Sequence, residues 1–217
     1  MSTRNGIFIS FEGIEGSGKS TQIQLLIERL RARGRKVVEN REPGTTAIGK
    51  QIRRVLLDPA NGEITPMAEL LLMFASRAQA TSEIILPALD RGEIVISDRF
   101  TDSTLAYQGC ARGLGLEKVL QMHELTLGSL FPDVTILLDV DVQTGVERAL
   151  DRNRERNFDR PETRIDQYSI EFHKKVASGY ADIAARYEQR FKIVEGRGSP
   201  AEVSNRIWSI VEPIVSR

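Results

Sequence analysis

Short apolar runs recur along the chain, and polar or turn-forming residues bound each of them. The runs are rich in β-branched and aromatic side chains and are too short to form typical helices. We assign strands to Ile7–Phe11, Lys36–Asn40, Glu93–Ser97, Val134–Asp139 and Phe191–Val194. Because these runs are apolar nearly throughout, they predict a parallel sheet that is covered on both faces.

Longer segments with helical periodicity lie between the predicted strands. They cover Lys19–Arg33, Thr46–Leu57, Pro66–Leu89, Leu116–Leu130, Val142–Arg152, Tyr168–Gln189 and Pro200–Val215. Strands that alternate with helices are typical of a doubly wound α/β domain. A chain of 217 residues can bury one good core, so we predict a single domain over residues 1–217. The segment 151–164 has one apolar side chain among many charges, so we predict that it does not form core.

Composition and charge narrow the range of possible functions. Lys and Arg number 30, as do Asp and Glu, so no overall basic field indicates nucleic acid or an anionic membrane as a partner. Cys110 is the only cysteine, which excludes an internal disulfide and a multi-cysteine zinc site. The apolar run at Ile7–Phe11 is too short for a signal peptide, and no run approaches the length of a membrane span. We therefore expect a cytoplasmic protein that binds neither nucleic acid nor a membrane.

A glycine-rich motif connects the first predicted strand to the first predicted helix. The segment from Gly13 to Ser20 reads GIEGSGKS and matches G-x-x-x-x-G-K-[ST]. Its glycines allow successive backbone N–H groups to surround a phosphate, and the following helix adds the positive end of its dipole. Lys19 suits the β- and γ-phosphates, and the Ser20 hydroxyl suits Mg²⁺. We predict that ATP binds at Gly13, Ile14, Glu15, Gly16, Ser17, Gly18, Lys19, Ser20 and Thr21.

The motif indicates a nucleoside triphosphate but does not identify the reaction, since GTPases and motor-type ATPases use the same loop. GTPases normally carry N-K-x-D for guanine and D-x-x-G near the γ-phosphate. Neither string occurs in the sequence. A kinase is therefore favoured, and a switch or ATPase stays the alternative.

Charged residues at the end of the third predicted strand favour an acceptor site. Ligands of open α/β folds bind at the carboxyl edge of the sheet, where Asp98 and Arg99 stand. Asp98 can orient Mg²⁺ or its waters, and Arg99 can make bidentate contacts with a phosphate. A structural ion pair at the strand end is the alternative. Arg53 and Arg54 follow a Pro-Gly turn at the next sheet edge, and we expect at least one of them to be exposed.

Two further sets of side chains share helix faces near this edge. A polar stripe at spacings of three and four residues comprises Ser103, Thr104, Tyr107 and Gln108. Phe74 and Arg77 are three residues apart, and an aromatic ring beside a guanidinium suits a nucleobase, although Phe74 alone is more typical of core. Cys110, His123 and His173 are isolated from any set of partner residues in the sequence, so we expect a free thiol and two surface or core imidazoles.

Together these strings resemble the bacterial thymidylate kinase family along nearly the whole chain. The matching strings are FEGIEGSGKST, REPGTTAIG, LLLMFASRAQ, SDRFTDSTLAYQG and FHKKVASGY. The resemblance implies a P-loop NTPase fold with a five-stranded parallel sheet of order 2-3-1-4-5 and a homodimer. It also implies the reaction ATP + dTMP ⇌ ADP + dTDP in dTTP biosynthesis, with Mg²⁺ as cofactor. The apolar surplus of Pro66–Leu89 predicts that this helix forms much of the dimer contact.

The resemblance also implies roles for individual residues around the acceptor. Phe74 would stack on thymine, Arg77 would reach the thymine O4, and Tyr107 would crowd the position of a ribose 2′-hydroxyl. The remaining acceptor residues are Thr104 and Gln108 at the base and Arg53 and Arg99 at the phosphate. The chain departs from the family pattern at two positions. Met73 stands where many relatives have the aromatic residue, and Thr45 stands where the turn usually has a second glycine.

The resemblance implies a mobile lid at about residues 151–164 and places its catalytic arginine at Arg152, with Arg164 as the second choice. Phosphoryl transfer chiefly requires alignment of the two substrates and neutralisation of their charge. The predicted catalytic set is Lys19, Arg99, Arg152, Glu15 and Asp98, with Ser20 and Asp98 at the metal. Glu15 is expected near the acceptor sugar or the waters of the metal.

Overall fold

A twisted sheet of five parallel strands forms the centre of the protein. The computed structural model describes residues 5–155, 164 and 168–216, and for residues 152–155 the description covers the backbone. The strands are β1 (Ile7–Glu12), β2 (Val37–Arg41), β3 (Ile94–Asp98), β4 (Val134–Asp139) and β5 (Phe191–Glu195). Their order is β2-β3-β1-β4-β5, and each neighbouring pair is parallel. The predicted α/β class and the strand order 2-3-1-4-5 are confirmed.

Helices connect the strands and cover both faces of the sheet. They are α1 (Lys19–Arg31), α2 (Ala47–Leu57), α3 (Pro66–Ala80), α4 (Leu86–Asp90), α5 (Thr101–Thr104), α6 (Leu116–Leu127), α7 (Val142–Glu155), α8 (Ile170–Arg186) and α9 (Pro200–Val215). A short 3₁₀ turn at Pro59–Asn61 precedes α3. In the part of the chain that the structure describes, no helix is both long enough and apolar enough to span a bilayer.

The alternation of side chains along β1 explains how the two faces are filled. Ile9 and Phe11 point to one face, where they pack with residues of α1 and α9. Phe8 points to the other face, where its ring meets that of Phe100 edge-on at a centroid distance of 4.9 Å. Helices α3, α6 and α8 bury further apolar side chains on that second side. The sheet is therefore enclosed, as the continuous apolar strands predicted.

Two helical segments differ in detail from the sequence prediction. The predicted helix Pro66–Leu89 is divided into α3 and α4 by a π-helical turn at Thr81–Ile85. Pro87 has no N–H to donate to the carbonyl four residues earlier, so the α-helical bonding cannot continue unchanged through this region.

The second difference lies after β3, where the predicted elements contained no helix although the polar stripe assumed helical spacing. The structure has α5 followed directly by a π-helical turn at Leu105–Ala111. Its wider bonding is seen where the Arg112 N–H donates to the Tyr107 carbonyl at 2.8 Å. Tyr107 and Gln108 are therefore carried by a π-turn rather than by a regular α-helix.

The predicted lid, residues 151–164, lies mostly outside the described residues. The structure describes the backbone of α7 up to Glu155 and then Arg164. The side chain of Arg152, the predicted catalytic residue of the lid, is outside the description.

Candidate active site

A cleft of about 410 Å³ opens at the carboxyl edge of the sheet. The loop between β1 and α1 forms one side, and the turn after β2 together with α3, α5 and the π-turn forms the other. Predicted site residues that line it are Glu15, Gly16, Ser17, Gly18, Lys19, Ser20, Thr21, Arg53, Arg77, Asp98, Arg99, Ser103, Thr104, Tyr107 and Gln108. Gly13, Ile14 and Phe74 are not among the cleft-lining residues. The fold thus brings most of the predicted residues of distant segments into one cleft.

Lys19, at the start of α1, folds back over the glycine-rich loop. Its Nζ donates to the carbonyl oxygens of Gly13 at 3.0 Å and Ile14 at 2.7 Å and to the Ser17 hydroxyl at 3.2 Å. Burial and the positive charge of Arg99 lower the pKa of Lys19 to about 8. The ammonium group is held by weak neutral acceptors that phosphate oxygens can replace.

Close backbone contact joins the loop to α7. A Cβ on Gly16, which has φ 67°, would lie 2.0 Å from the carbonyl oxygen of Gly145. A Cβ on Gly145 would likewise lie 2.7 Å from the carbonyl oxygen of Glu15. Both positions therefore require glycine, and the helix that leads into the predicted lid rests directly on the loop. Arg148 of this helix lines the cleft and was missed by the sequence analysis.

Arg99 follows β3 with a left-handed backbone, φ 70°, which is unusual for a residue with a side chain. Such a conformation costs about 1–3 kcal/mol and persists when surrounding contacts determine it. Its Nη1 donates to Ser103 Oγ at 3.0 Å and to the Tyr180 hydroxyl at 3.1 Å, and its Nη2 donates to Glu15 Oε1 at 3.0 Å. The guanidinium is thus fixed at the cleft from several sides.

Behind Arg99 lies the fully buried Glu12 of β1. Its carboxyl group accepts hydrogen bonds from the Phe100 N–H at 2.8 Å, Ser103 Oγ at 2.5 Å and the Tyr180 hydroxyl at 3.2 Å. Burial and the charge of Asp102 raise the pKa of Glu12 to about 8. When the hydroxyl protons of Ser103 and Tyr180 point to Glu12, the two hydroxyl oxygens can accept hydrogen bonds from Arg99. Sequence analysis missed Glu12, because a buried carboxyl on a strand gives no spacing signal. It also missed Tyr180, which lies on α8, far along the chain from Arg99.

Glu15 connects the glycine-rich loop to the opposite side of the cleft. Its carboxylate accepts from the Tyr107 hydroxyl at 2.7 and 2.8 Å and pairs with Arg99. His173 Nδ1 of α8 lies 3.3 Å from its Oε2. Burial alone would raise the pKa of Glu15, but Arg99, His173 and Lys19 lower it well below its ordinary value. The expectation that His173 is isolated from the site residues is therefore wrong. His123 is a core imidazole, as expected, and its Nδ1 lies 2.9 Å from Thr101 Oγ1.

Arg77 of α3 forms a buried donor group at the opposite end of the cleft. Its Nε donates to Glu42 Oε2 at 2.5 Å, and its Nη2 donates to the Phe100 carbonyl at 3.1 Å and Thr104 Oγ1 at 2.9 Å. Nη1 is buried and has no hydrogen-bond partner among the described residues. Because buried donors are nearly always satisfied, this group is available to a ligand that enters the cleft.

The neighbouring residues of α3 divide between the cleft and the core. Met73 lines the cleft, while Phe74 is buried within the core beneath it. The Arg77 guanidinium carbon lies 5.0 Å from the centroid of the Phe74 ring. Met73 is therefore the side chain that stands at the cleft wall, and base stacking by Phe74 stays a prediction.

The turn after β2 places Arg53 at the cleft. Gly44 has φ 122°, and a Cβ there would lie 2.8 Å from Arg53 Cδ, so the close approach of this side chain requires glycine. Arg53 Nη1 donates to the Pro43 carbonyl at 2.8 Å. Arg54, the next residue, is exposed. The expectation that one of the two arginines faces solvent is confirmed.

Two oxygen ligands suitable for a cation lie beside the glycine-rich loop. Ser20 Oγ lies 3.3 Å from Asp98 Oδ2, and both residues line the cleft. Within the described residues no cluster of three or more His, Cys, Asp or Glu side chains could hold a metal alone. A hydroxyl and a carboxylate fit Mg²⁺, which usually combines one or two protein oxygens with phosphates and waters.

Comparisons with known proteins agree on one family. The thymidylate kinase family model matches residues 11–207. The chain is 51% identical over 201 residues to the thymidylate kinase of Syntrophotalea carbinolica, covering 93% of each chain. It is 50% identical to that of Pelobacter propionicus, covering 93% of this chain and 92% of the relative. The crystal structure of thymidylate kinase from Ehrlichia chaffeensis superposes with a TM-score of 0.76 at 30% identity, covering 95% of this chain and 98% of that one.

Proposed function

The chain belongs to the thymidylate kinase family, and from this premise we infer that it transfers the γ-phosphoryl group of ATP to dTMP, forming ADP and dTDP. The observation that carries this inference is the pairing of two cationic groups in one cleft. Lys19 belongs to a loop built for a nucleoside triphosphate, and Arg99 is fixed beside it by Glu15, Ser103 and Tyr180. The product is a precursor for dTTP biosynthesis.

We propose that the two substrates divide the cleft between them. The loop Gly13–Thr21 binds the phosphates of ATP through its backbone and Lys19. The acceptor side binds dTMP, with Arg53 and Arg99 at its phosphate. The groups at its base are Arg77, Thr104 and Gln108, and Tyr107 stands beside the sugar. The unpartnered Nη1 of Arg77 supports this placement of the base, since it could donate a hydrogen bond to a carbonyl oxygen of the base.

The chemical step needs no protein nucleophile, because an oxygen of the dTMP phosphate attacks the γ-phosphorus while the bond to the ADP oxygen breaks. The protein must align two anions and screen their repulsion. Arg99 is already held by hydrogen bonds, so little side-chain entropy is lost when the acceptor phosphate binds. Lys19 exchanges its loop carbonyl acceptors for phosphate oxygens.

Ser20 and Asp98 are the residues that would hold Mg²⁺ together with the phosphates of ATP. The ion would supply positive charge to the phosphate oxygens. Arg152 of α7 is proposed to add charge from the lid, and it follows Arg148 by one helical turn. Arg164, the second choice, donates hydrogen bonds to Glu69 and to the Leu56 carbonyl instead.

We propose a cytoplasmic homodimer in which α2 and α3 form much of the contact. Large apolar side chains are exposed on these helices and on α4, namely Ile48, Val55, Met67, Leu71 and Leu86. Such a patch is typical of a protein–protein contact. Light scattering at micromolar concentration is expected to give twice the 24.3 kDa chain mass, and a 24.3 kDa species would contradict the dimer.

A coupled assay of ADP release tests the proposed reaction. The acceptor panel comprises dTMP, dUMP, TMP, dCMP, AMP and GMP, and one arm contains no acceptor. The highest kcat/KM is expected with dTMP, with little ADP formed without acceptor. If ADP is released as fast without an acceptor as with dTMP, the protein is an ATPase instead.

A further inference from the structure

A buried carboxylate at the base end of the cleft has no part in the proposed chemistry. Glu69 of α3 is 2% exposed. Its Oε1 accepts from Gln108 Nε2 at 2.7 Å and from Arg112 Nε at 3.3 Å. Its Oε2 accepts from Arg112 Nη2 at 2.7 Å and from Arg164 Nη2. Donors therefore occupy both carboxylate oxygens.

Glu69 is ionised in this environment. Burial alone would raise the pKa of Glu69, but hydrogen bonds from Arg112, Gln108 and Arg164 lower it below its ordinary value. An ionised carboxylate can only accept hydrogen bonds. Gln108 must consequently turn its amide NH₂ toward Glu69, because its carbonyl oxygen would meet another acceptor there.

In this orientation the carbonyl oxygen of Gln108 can accept a hydrogen bond from a ligand. Gln108 lines the cleft, and no donor among the described residues reaches its Oε1. Arg77 lines the same cleft and contributes the unpartnered donor Nη1. The base end of the cleft thus offers a fixed acceptor and a fixed donor.

We propose that Glu69 is a positioning residue for base selection, which holds the Gln108 amide so that the cleft accepts a pyrimidine with an N3–H donor and an O4 acceptor. The proposal rests on the proposed function, which places the dTMP base at this end. Thymine and uracil have that pattern. Cytosine has an N3 acceptor and an N4 amino donor. Its N3 would face the Gln108 carbonyl oxygen, another acceptor, and its N4 amino group would face Arg77 Nη1, another donor. Unpaired polar groups in a buried site strongly disfavour the wrong ligand.

The test is the ratio of kcat/KM for dTMP to kcat/KM for dCMP in wild type and in Glu69→Gln. The new amide can donate as well as accept, so the Gln108 amide can turn over. We expect the ratio to fall by about tenfold or more. A matched control is Glu83→Gln, which changes an exposed carboxylate that accepts from the Gln79 amide at 3.0 Å. The control should keep the wild-type ratio.

A merely structural role of Glu69 would lower kcat/KM for both acceptors equally and leave the ratio unchanged, which would overturn the proposal. The double variant that combines Glu69→Gln with Gln108→Glu (E69Q/Q108E) reverses the pair, because the amide at position 69 then donates to a carboxylate at position 108 whose other oxygen faces the cleft. A ratio within about threefold of wild type supports the proposal. If Glu69→Gln does not fold, this double variant decides, and a collapsed ratio in it counts against the inference.

The same assay separates this inference from the proposed function. If wild-type protein phosphorylates dCMP as well as dTMP, the placement of the base at Arg77 and Gln108 is wrong. If wild type discriminates and Glu69→Gln discriminates equally, the role of Glu69 fails while the proposed reaction stands.

Discussion

The two sides of the cleft hold their cations in different ways. On the side proposed for ATP, the donor side, the bonds of Lys19 within the described part of the chain all go to neutral oxygens of its own loop. On the side proposed for dTMP, the acceptor side, carboxylates hold the arginines, with Arg99 on Glu15 and Arg77 on the buried Glu42. The donor side is one continuous segment, whereas the acceptor side is assembled from several strands and helices.

This difference indicates two kinds of preorganisation. The acceptor arginines are fixed before any ligand arrives, so they can define the position and identity of dTMP. Lys19 is bound weakly enough to leave its loop carbonyls for phosphate. A carboxylate partner on Lys19 would compete with ATP for the same charge. We therefore expect substitutions on the donor side to affect the chemical step most and those on the acceptor side to affect recognition most.

The largest effect is expected for Lys19→Ala. Loss of the charge on the β- and γ-phosphates should reduce kcat by roughly 10³-fold or more, about 4 kcal/mol of barrier. The circular dichroism spectrum should stay unchanged, because the bonds of the lysine seen among residues 5–155, 164 and 168–216 all lie within its own loop. A variant that keeps more than about a tenth of wild-type kcat would contradict the assignment of this loop to ATP.

Arg152→Ala tests whether the donor side is completed from the lid. An arginine that contacts the moving phosphoryl group in the transition state contributes roughly 10³-fold to kcat, with little change in KM. The matched controls Arg154→Ala and Arg156→Ala remove the same charge from the same segment and should change kcat less than about threefold. Equal, modest losses at all three positions would exclude a specific role for Arg152. A large loss at Arg164 alone would move the role to that residue.

Arg99→Lys tests the acceptor side. The guanidinium contacts Glu15, Ser103 and Tyr180 through two nitrogens, which a single ammonium group cannot reproduce. We expect kcat/KM for dTMP to fall by about 10²-fold, roughly 2.7 kcal/mol, while the KM for ATP changes little. Arg54→Lys, at an exposed position, is the control. A loss below about threefold at Arg99 would show that its fixed geometry is unimportant.

The smallest effect concerns pH. Because the pKa of Lys19 is lowered to about 8 in the free protein, the ammonium group loses its proton as the pH rises above that value. We expect kcat/KM for ATP to fall by about tenfold per pH unit there, while kcat falls later because bound phosphates favour the charged form. Lys19→Arg should abolish this decline. Glu12, whose pKa is also about 8, is the competing group, so Glu12→Gln should leave the decline in place.

The sequence predicted the donor side more completely than the acceptor side, for a physical reason. Gly13 to Ser20 is contiguous, and its chemistry follows from residue types at fixed spacing. The strand order and the position of Asp98 and Arg99 at the sheet edge were likewise accessible, because apolar strands and carboxyl edges follow general rules.

Three buried glutamates that support the acceptor side could not be predicted in this way. Glu12, Glu42 and Glu69 lie on β1, a turn and α3, and they meet their partners only through the tertiary fold. A buried glutamate and an exposed one look alike in a sequence. The same limit explains His173, which is far along the chain from Glu15 but lies 3.3 Å from its carboxylate in the fold.

The π-turn at Leu105–Ala111 has a consequence for insertions and deletions. A π-turn is a helix that contains one extra residue, so removal of one residue within it would give an ordinary α-helix without breaking the chain path. A π-turn holds more residues per turn than an α-helix, so the deletion would change the angle of Tyr107 and Gln108 relative to Ser103 and Thr104. A single-residue deletion here would therefore leave a well-formed helix that no longer directs Gln108 to the base. Among homologous proteins, we expect the length of this segment to vary less than the length of the surface turns.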